Sequence, residues 1–181
     1  LQADDAVNYG AIGAVIGHEI SHGFDDQGRK SDGDGNLRDW WTPEDAAAFE
    51  ARTRKLVEQY ARFNPIDDLH VNGELTLGEN IGDLSGLTVA YRAYRRSLGG
   101  QEAPVIDGFT GDQRFFLGWA QIWRRKFRDA ELRNRVMTDP HSPAMYRVLG
   151  VVPNMPEFHA AFGTQPGDAL WRAPEERVKV W

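Results

Sequence analysis

Cysteine is absent from all 181 residues. The chain therefore has no disulfide framework, no thiolate metal ligand and no cysteine nucleophile. Any metal chemistry has to come from carboxylates and from only five histidines. Long apolar runs are missing too: no stretch of about 18 apolar residues occurs, so no segment reads as a membrane-crossing helix. The segment before His18 is apolar and Gly/Ala-rich, but it lacks a basic start and is interrupted by Asn8 and Tyr9. It does not read as a signal peptide. Clustered basic residues are lacking, and the net charge is -6, which argues against a nucleic-acid partner. Internal repeats and low-complexity tracts are absent, and strand signals are few. Lack of cysteine leaves the compartment open.

What the chain does have is helical periodicity. At 41% hydrophobic residues, the length fits one domain with a buried core. A first helix is expected from about Asp5 to Gly23, with Ile12, Val15 and Ile16 on or beside the face of His22. Asp25 to Asn36 is a polar, Gly-rich loop. Thr42 as N-cap, Pro43 in the first turn, then Glu44 and Asp45 mark a second helix. It should reach about Phe63 and stop before Pro65. A third, from Thr76 to Leu98, sets Leu77, Ile81, Leu84, Leu87 and Tyr91 near one face and ends at Gly99-Gly100. Thr110 caps a fourth, whose aromatic residues Phe115, Phe116, Trp119, Trp123 and Phe127 fit core packing better than a ligand surface. Shorter helices open at Pro143 and Pro156, and Val71 to Leu77 hints at a strand. The expected fold is mainly α with little β structure, in a single domain over residues 1–181 without a linker.

Within the first helix lies His18-Glu19-Ile20-Ser21-His22, an HExxH box. Residues four apart share a helix face, so both imidazoles can reach one metal ion. Glu19 lies between them, where it can act as a base toward a water at the metal. A surface helix that happens to carry two histidines has the same spacing, but a catalytic zinc site needs a third protein ligand. Without cysteine that ligand is His, Asp or Glu. The best candidates are Glu79 and Asp83, four apart on the third helix. One can bind the metal while the other accepts the free N–H of a ligand histidine. Asp25 or Asp26, close after His22, can do the same for His22. Asp32-Gly33-Asp34-Gly35-Asn36 invites a calcium-loop reading, but Leu37 stands where that loop needs Gly and Pro43 where it needs Glu. It is a turn.

The motifs form an ordered set. VIGHEISHGFDD ends at Asp26, followed by Asp39-Trp40-Trp41, LGENIGD from Leu77 to Asp83, DPHSP from Asp139 to Pro143, and a terminal Trp181. Over essentially the whole chain, this set resembles the catalytic region of the neprilysin and endothelin-converting enzyme family of zinc peptidases. It looks most like the actinobacterial members. The resemblance implies a thermolysin-like helical catalytic domain that binds one Zn2+ through His18, His22 and Glu79. It implies Glu19 as general base, Asp83 as partner of a ligand histidine, His141 as oxyanion stabiliser and Arg147 as a contact to substrate carbonyls. Read alone, His141 would be a capping or surface histidine and Arg147 one more surface cation.

The resemblance also implies small to medium peptide substrates, cut on the amino side of hydrophobic residues. The parent protein would be bacterial, and secreted, cell-envelope associated or cytoplasmic. Val178 stands where the animal members have a disulfide-bonded cysteine, as expected of a bacterial-type member. Members of the family carry a large upstream region with a substrate-docking segment and a lobe that closes the cavity. This chain starts 17 residues before His18, so it is expected to be a C-terminal catalytic fragment lacking that lobe. The alternative expectation is a zinc-binding helical module with little or no catalysis. A non-peptidase zinc hydrolase fits HExxH but not the other motifs.

Overall fold

The computed structural model describes residues 3–181. Residues 5–24 form one helical run that changes winding along its length. It comprises α1 (Asp5–Asn8), a π-helical stretch (Tyr9–Gly13), α2 (Ala14–Ser21) and a 3-10 turn (His22–Phe24). The expected first helix is present, but its uniform winding is not. After the polar loop come α3 (Pro43–Tyr60), α4 (Leu77–Ser97), α5 (Gly111–Ile122), α6 (Asp129–Thr138), α7 (Ala144–Leu149) and α8 (Pro156–Phe162). Among the described residues there is no strand, only three isolated bridges. Among the same residues no helix is long and apolar enough to cross a membrane.

Local chemistry accounts for most boundaries. Thr42 Oγ1 accepts the Asp45 N–H at 3.1 Å and Pro43 occupies the first turn of α3. Thr110 and Gln113 form a reciprocal capping box at α5. Gly99 and Gly100, at φ of 60° and 85°, supply the left-handed backbone that follows α4.

Several expectations need correction. The strand hinted at over residues 71–77 is a turn, because Asn72 Oδ1 accepts the N–H groups of Glu74 and Leu75 and folds the chain back. Helix α3 stops at Tyr60 rather than near Phe63, its end tightening into a turn ahead of Asn64-Pro65. Helix α5 ends at Ile122, so Trp123 only caps it and Phe127 lies beyond it. Three consecutive cations, Arg124, Arg125 and Lys126, follow its carbonyl end, where positive charge is favoured. Helix α6 was not anticipated; Val136 is its one buried residue, so it carries almost no apolar periodicity.

The core is shared by three helices. Leu56 and Tyr60 of α3, Ile81, Leu87 and Tyr94 of α4, and Phe115 and Trp119 of α5 are buried together. Full burial of one such side chain contributes about 1.5–3 kcal/mol. The expected core role of the aromatic stripe therefore holds for Phe115, Phe116 and Trp119. Against this core α2 crosses α4 at very short range. A Cβ added to Gly17 would stand 2.8 Å from the Gly86 carbonyl oxygen, and one added to Gly86 would stand 2.6 Å from the Ala14 carbonyl oxygen. Neither backbone can retreat without unpacking a helix.

Gly86→Ala should therefore cost about 1–3 kcal/mol, lowering the melting temperature of the metal-free chain by roughly 3–10 °C. Thermal unfolding followed by circular dichroism measures it. An unchanged melting temperature would show that the crossing has slack.

Candidate metal centre

The α2–α4 crossing brings the histidine pair onto the acidic start of α4. The ring of His18 lies on the backbone of Gly82, where an added Cβ would stand 2.8 Å from Nδ1. Gly82 is thus the floor beneath this imidazole, and the two candidate acids flank it in sequence. His18 is 5% exposed. Its Nδ1–H donates to Asp83 Oδ1 at 2.8 Å, and its Nε2 is 3.1 Å from Glu79 Oε2. His22 follows the same pattern at the rim. Its Nδ1–H donates to Asp25 Oδ2 at 2.8 Å and its Nε2 is 3.5 Å from Glu79 Oε1. The two rings meet edge to face with centroids 4.7 Å apart.

His18, His22 and Glu79 offer ligand atoms that all lie within 4.8 Å of one another. Two imidazole nitrogens and one carboxylate oxygen suit a divalent ion, with a coordination position left for water or substrate. The outer contacts fit as well. Each Nδ1–H is held by a carboxylate, which fixes the tautomer and presents Nε2 inward. Asp25 takes this role at His22; its other oxygen accepts the backbone N–H of Gln27 and Gly28 at 2.9 and 2.7 Å. Asp26 instead accepts from the Gln27 side chain. Glu19 is exposed, one helical turn before His22.

Asp83 is fully buried, at 0% exposure. A carboxylate taken out of water costs several kcal/mol unless it is paired. Arg147 supplies the pairing: its Nε donates to Oδ2 and its Nη2 to Oδ1, both at 2.7 Å. The guanidinium also lies 3.9 Å over the Trp123 ring and reaches to 3.5 Å from Glu79 Oε2. His141 approaches from the loop between α6 and α7, with Nε2 3.2 Å from Glu79 Oε2. Its Nδ1–H and its backbone N–H both donate to Asp139 Oδ1, at 2.7 and 2.9 Å. Arg135 closes on Asp139 Oδ2 at 2.5 Å.

Electrostatics follow from this crowding. Burial alone would pull the His18 imidazole down, but hydrogen bonds to Asp83 and Glu79 outweigh it and hold it up at about 9. Burial would raise Glu79, yet the hydrogen bond from His18 and the charges of His141 and Arg147 keep it below its ordinary value. Asp139 is likewise held low, because donation from His141 and the charge of Arg135 exceed its own desolvation.

Comparison with known proteins agrees with this chemistry. A model of Peptidase family M13 matches residues 1–178, and the chain belongs to that family. It is 47% identical over 182 residues to Neprilysin-1 of Caenorhabditis elegans and 43% identical over 179 residues to human endothelin-converting enzyme 1. Each alignment covers 97% of this chain but only 24% and 23% of those proteins, so the chain spans about a quarter of their length. Among solved structures, the Mycobacterium tuberculosis zinc metalloprotease Zmp1 in complex with an inhibitor superposes with a TM-score of 0.97 at 57% identity. That match covers 99% of this chain and 28% of Zmp1. The expected likeness to actinobacterial members is met by this mycobacterial protein.

Sequence reasoning gave no part in the site to Asp139, Trp123 or Gly82. Only the Asp-x-His spacing of Asp139 and His141 could have been read in advance. The other two depend on where α5 ends and how closely α2 approaches α4.

A metal ion must displace the proton that Glu79 and Asp83 stabilise on His18. Protons compete below about 9, so affinity should weaken about tenfold for each pH unit lost between 9 and 7, for one proton released. Titration with Zn2+ as probe, repeated across this range, measures the slope. A flat profile would show that His18 is already unprotonated in the metal-free chain.

Proposed function

We propose that this chain is the C-terminal catalytic domain of an M13 zinc metalloendopeptidase. The supporting observation is the convergence of His18, His22 and Glu79, with each imidazole held from behind by a carboxylate. These three residues would hold one Zn2+. When bound, zinc supplies Lewis acidity, polarising the scissile carbonyl and acidifying water.

The chain's own groups carry the rest. Glu19 takes a proton from the attacking water at its exposed carboxylate and delivers it to the leaving amine nitrogen. His141 donates from Nε2 to the carbonyl oxygen as charge develops there, and Asp139 keeps its ring oriented. Asp83 orients His18, and Asp25 orients His22. Arg147 holds both oxygens of Asp83 in place and contacts substrate carbonyls. Substrates are small to medium peptides, cut on the amino side of hydrophobic residues.

The same helix supports the reading as one domain of a longer protein. Ile12, Ile16 and Ile20 recur every fourth residue and are 58%, 54% and 66% exposed. A continuous apolar stripe of this kind is normally covered. We assign it to the upstream lobe, which would also supply the edge along which an extended peptide pairs. The alternative, a zinc-binding module with little catalysis, draws on the same exposed stripe.

Glu19→Gln should abolish hydrolysis and leave zinc content near that of the unaltered chain, since Glu19 is a base and not a ligand. His22→Ala and Glu79→Gln should lose metal as well, and Asp83→Asn should weaken affinity or activity about 10–100-fold. Metal analysis beside a peptide-cleavage assay decides these roles; a zinc-free Glu19→Gln variant would contradict them.

A separate comparison tests the domain reading. At equal zinc occupancy, the chain should show a much lower kcat/KM than a version extended upstream. Equal values would mean that the upstream region is dispensable.

A further inference from the structure

His141 reaches the cluster from outside α2 and α4. It sits in the short connection between α6 and α7, with its side chain 42% exposed. Asp139 and Arg135 restrain one side of that connection. On the other side lies a buried chain of hydrogen bonds that the chemistry described above does not use. Ser142 Oγ–H donates to Asn80 Oδ1 at 2.8 Å. Asn80 Nδ2–H donates to Thr76 Oγ1 at 2.9 Å, and Thr76 Oγ1–H donates to the Asn72 carbonyl at 3.0 Å. Thr76, Asn80 and Ser142 are 3%, 1% and 3% exposed.

The connectivity gives this relay its meaning. Asn80 follows Glu79, and Ser142 follows His141. The Ser142–Asn80 bond therefore ties the immediate neighbour of one site residue to the immediate neighbour of the other, across 62 positions of sequence. Every donor in the relay has one acceptor and runs in one direction, so the amide of Asn80 cannot flip without breaking two buried bonds. Glu79 is already fixed by its helix. The relay transmits that fixed position to the α6–α7 connection.

We propose that Asn80 and Ser142 are positioning residues that set His141 over the metal cluster, with Thr76 holding the Asn80 amide in register. This rests on the role given to His141 under the proposed function. A merely structural bond would stabilise the fold without acting through His141, and the two are separable.

The test has two arms on the 181-residue chain. In the first, the metal-free protein is labelled at its histidine ring nitrogens, and its five imidazoles are followed by NMR. Ser142→Ala should shift the His141 ring signals while those of His18, His22, His70 and His159 stay in place. Thr76→Val, which cuts the relay at its far end, should move the same signals by less, and it serves if Ser142→Ala fails to fold. Unmoved His141 signals, or equal shifts at all five rings, would overturn the proposal. In the second arm, the zinc-loaded chain is assayed with a peptide. Ser142→Ala should lower kcat about 10- to 100-fold with KM and zinc content unchanged, and should cost nothing further in a His141→Ala background. A loss of full size in that background would show that Ser142 does not act through His141. If the unaltered chain cleaves no peptide, the proposed activity of the isolated chain fails, and the NMR arm still decides the positioning.

Discussion

Backbone contact between α2 and α4 at Gly17 and Gly86 is the constraint from which the site follows. Ordinary side chains would hold the two helices a full side-chain layer apart. Here the layer is missing, and His18 reaches the surface of α4 itself, above Gly82. Glu79 and Asp83, four residues apart on α4, then fall on the two nitrogens of one ring. A bulkier residue at position 82 or 86 would not merely loosen packing. It would lift the imidazole away from both carboxylates, and metal-binding geometry would be lost along with helix contact.

Such closeness has an electrostatic consequence. Asp83 is removed from water completely, and desolvation opposes its charge. Three hydrogen bonds, one from His18 and two from Arg147, pair both of its oxygens. The guanidinium is in turn covered by Trp123, which leaves the helical path of α5 just where it can stack on Arg147. The early end of α5 and the pairing of Asp83 are thus one arrangement. In the metal-free chain the surplus of carboxylates draws a proton onto His18, which is why that ring is held up despite its burial. A divalent cation fits the same excess of negative charge.

Much of this was legible in advance, and the divisions have physical causes. The histidine pair and its acids could be read because a helix converts spacing of four into a shared face, whatever the surroundings. The Thr42 and Thr110 caps could be read because capping is local chemistry. Helix α6 could not, since only Val136 is buried and its sequence carries no apolar period. The turn at Asn72 was mistaken for a strand because Val71, Leu75 and Leu77 alternate loosely, while the side chain that folds the segment back belongs to Asn72. The choice between Asp25 and Asp26 turned on loop geometry: only Asp25 also accepts two backbone N–H groups that aim its second oxygen at His22.

Rigidity across the cluster is uneven, and the unevenness has a direction. His18 and Asp83 are locked into the core between two packed helices. His22, whose side chain is 33% exposed, sits where α-helix gives way to a 3-10 turn and depends on Asp25 in the loop that follows. His141 is more exposed still and relies on Asp139 and the bond through Ser142. The core side therefore fixes where an ion could be held. The rim side, built on loops, holds the groups that meet whatever occupies the open position. In each loop a carboxylate near in sequence aims the ring, so orientation survives even where the backbone has fewer packing contacts. Local hydrogen bonds thereby supply at the rim what close helix packing supplies at the core, and together they bring side chains from separate segments to one point.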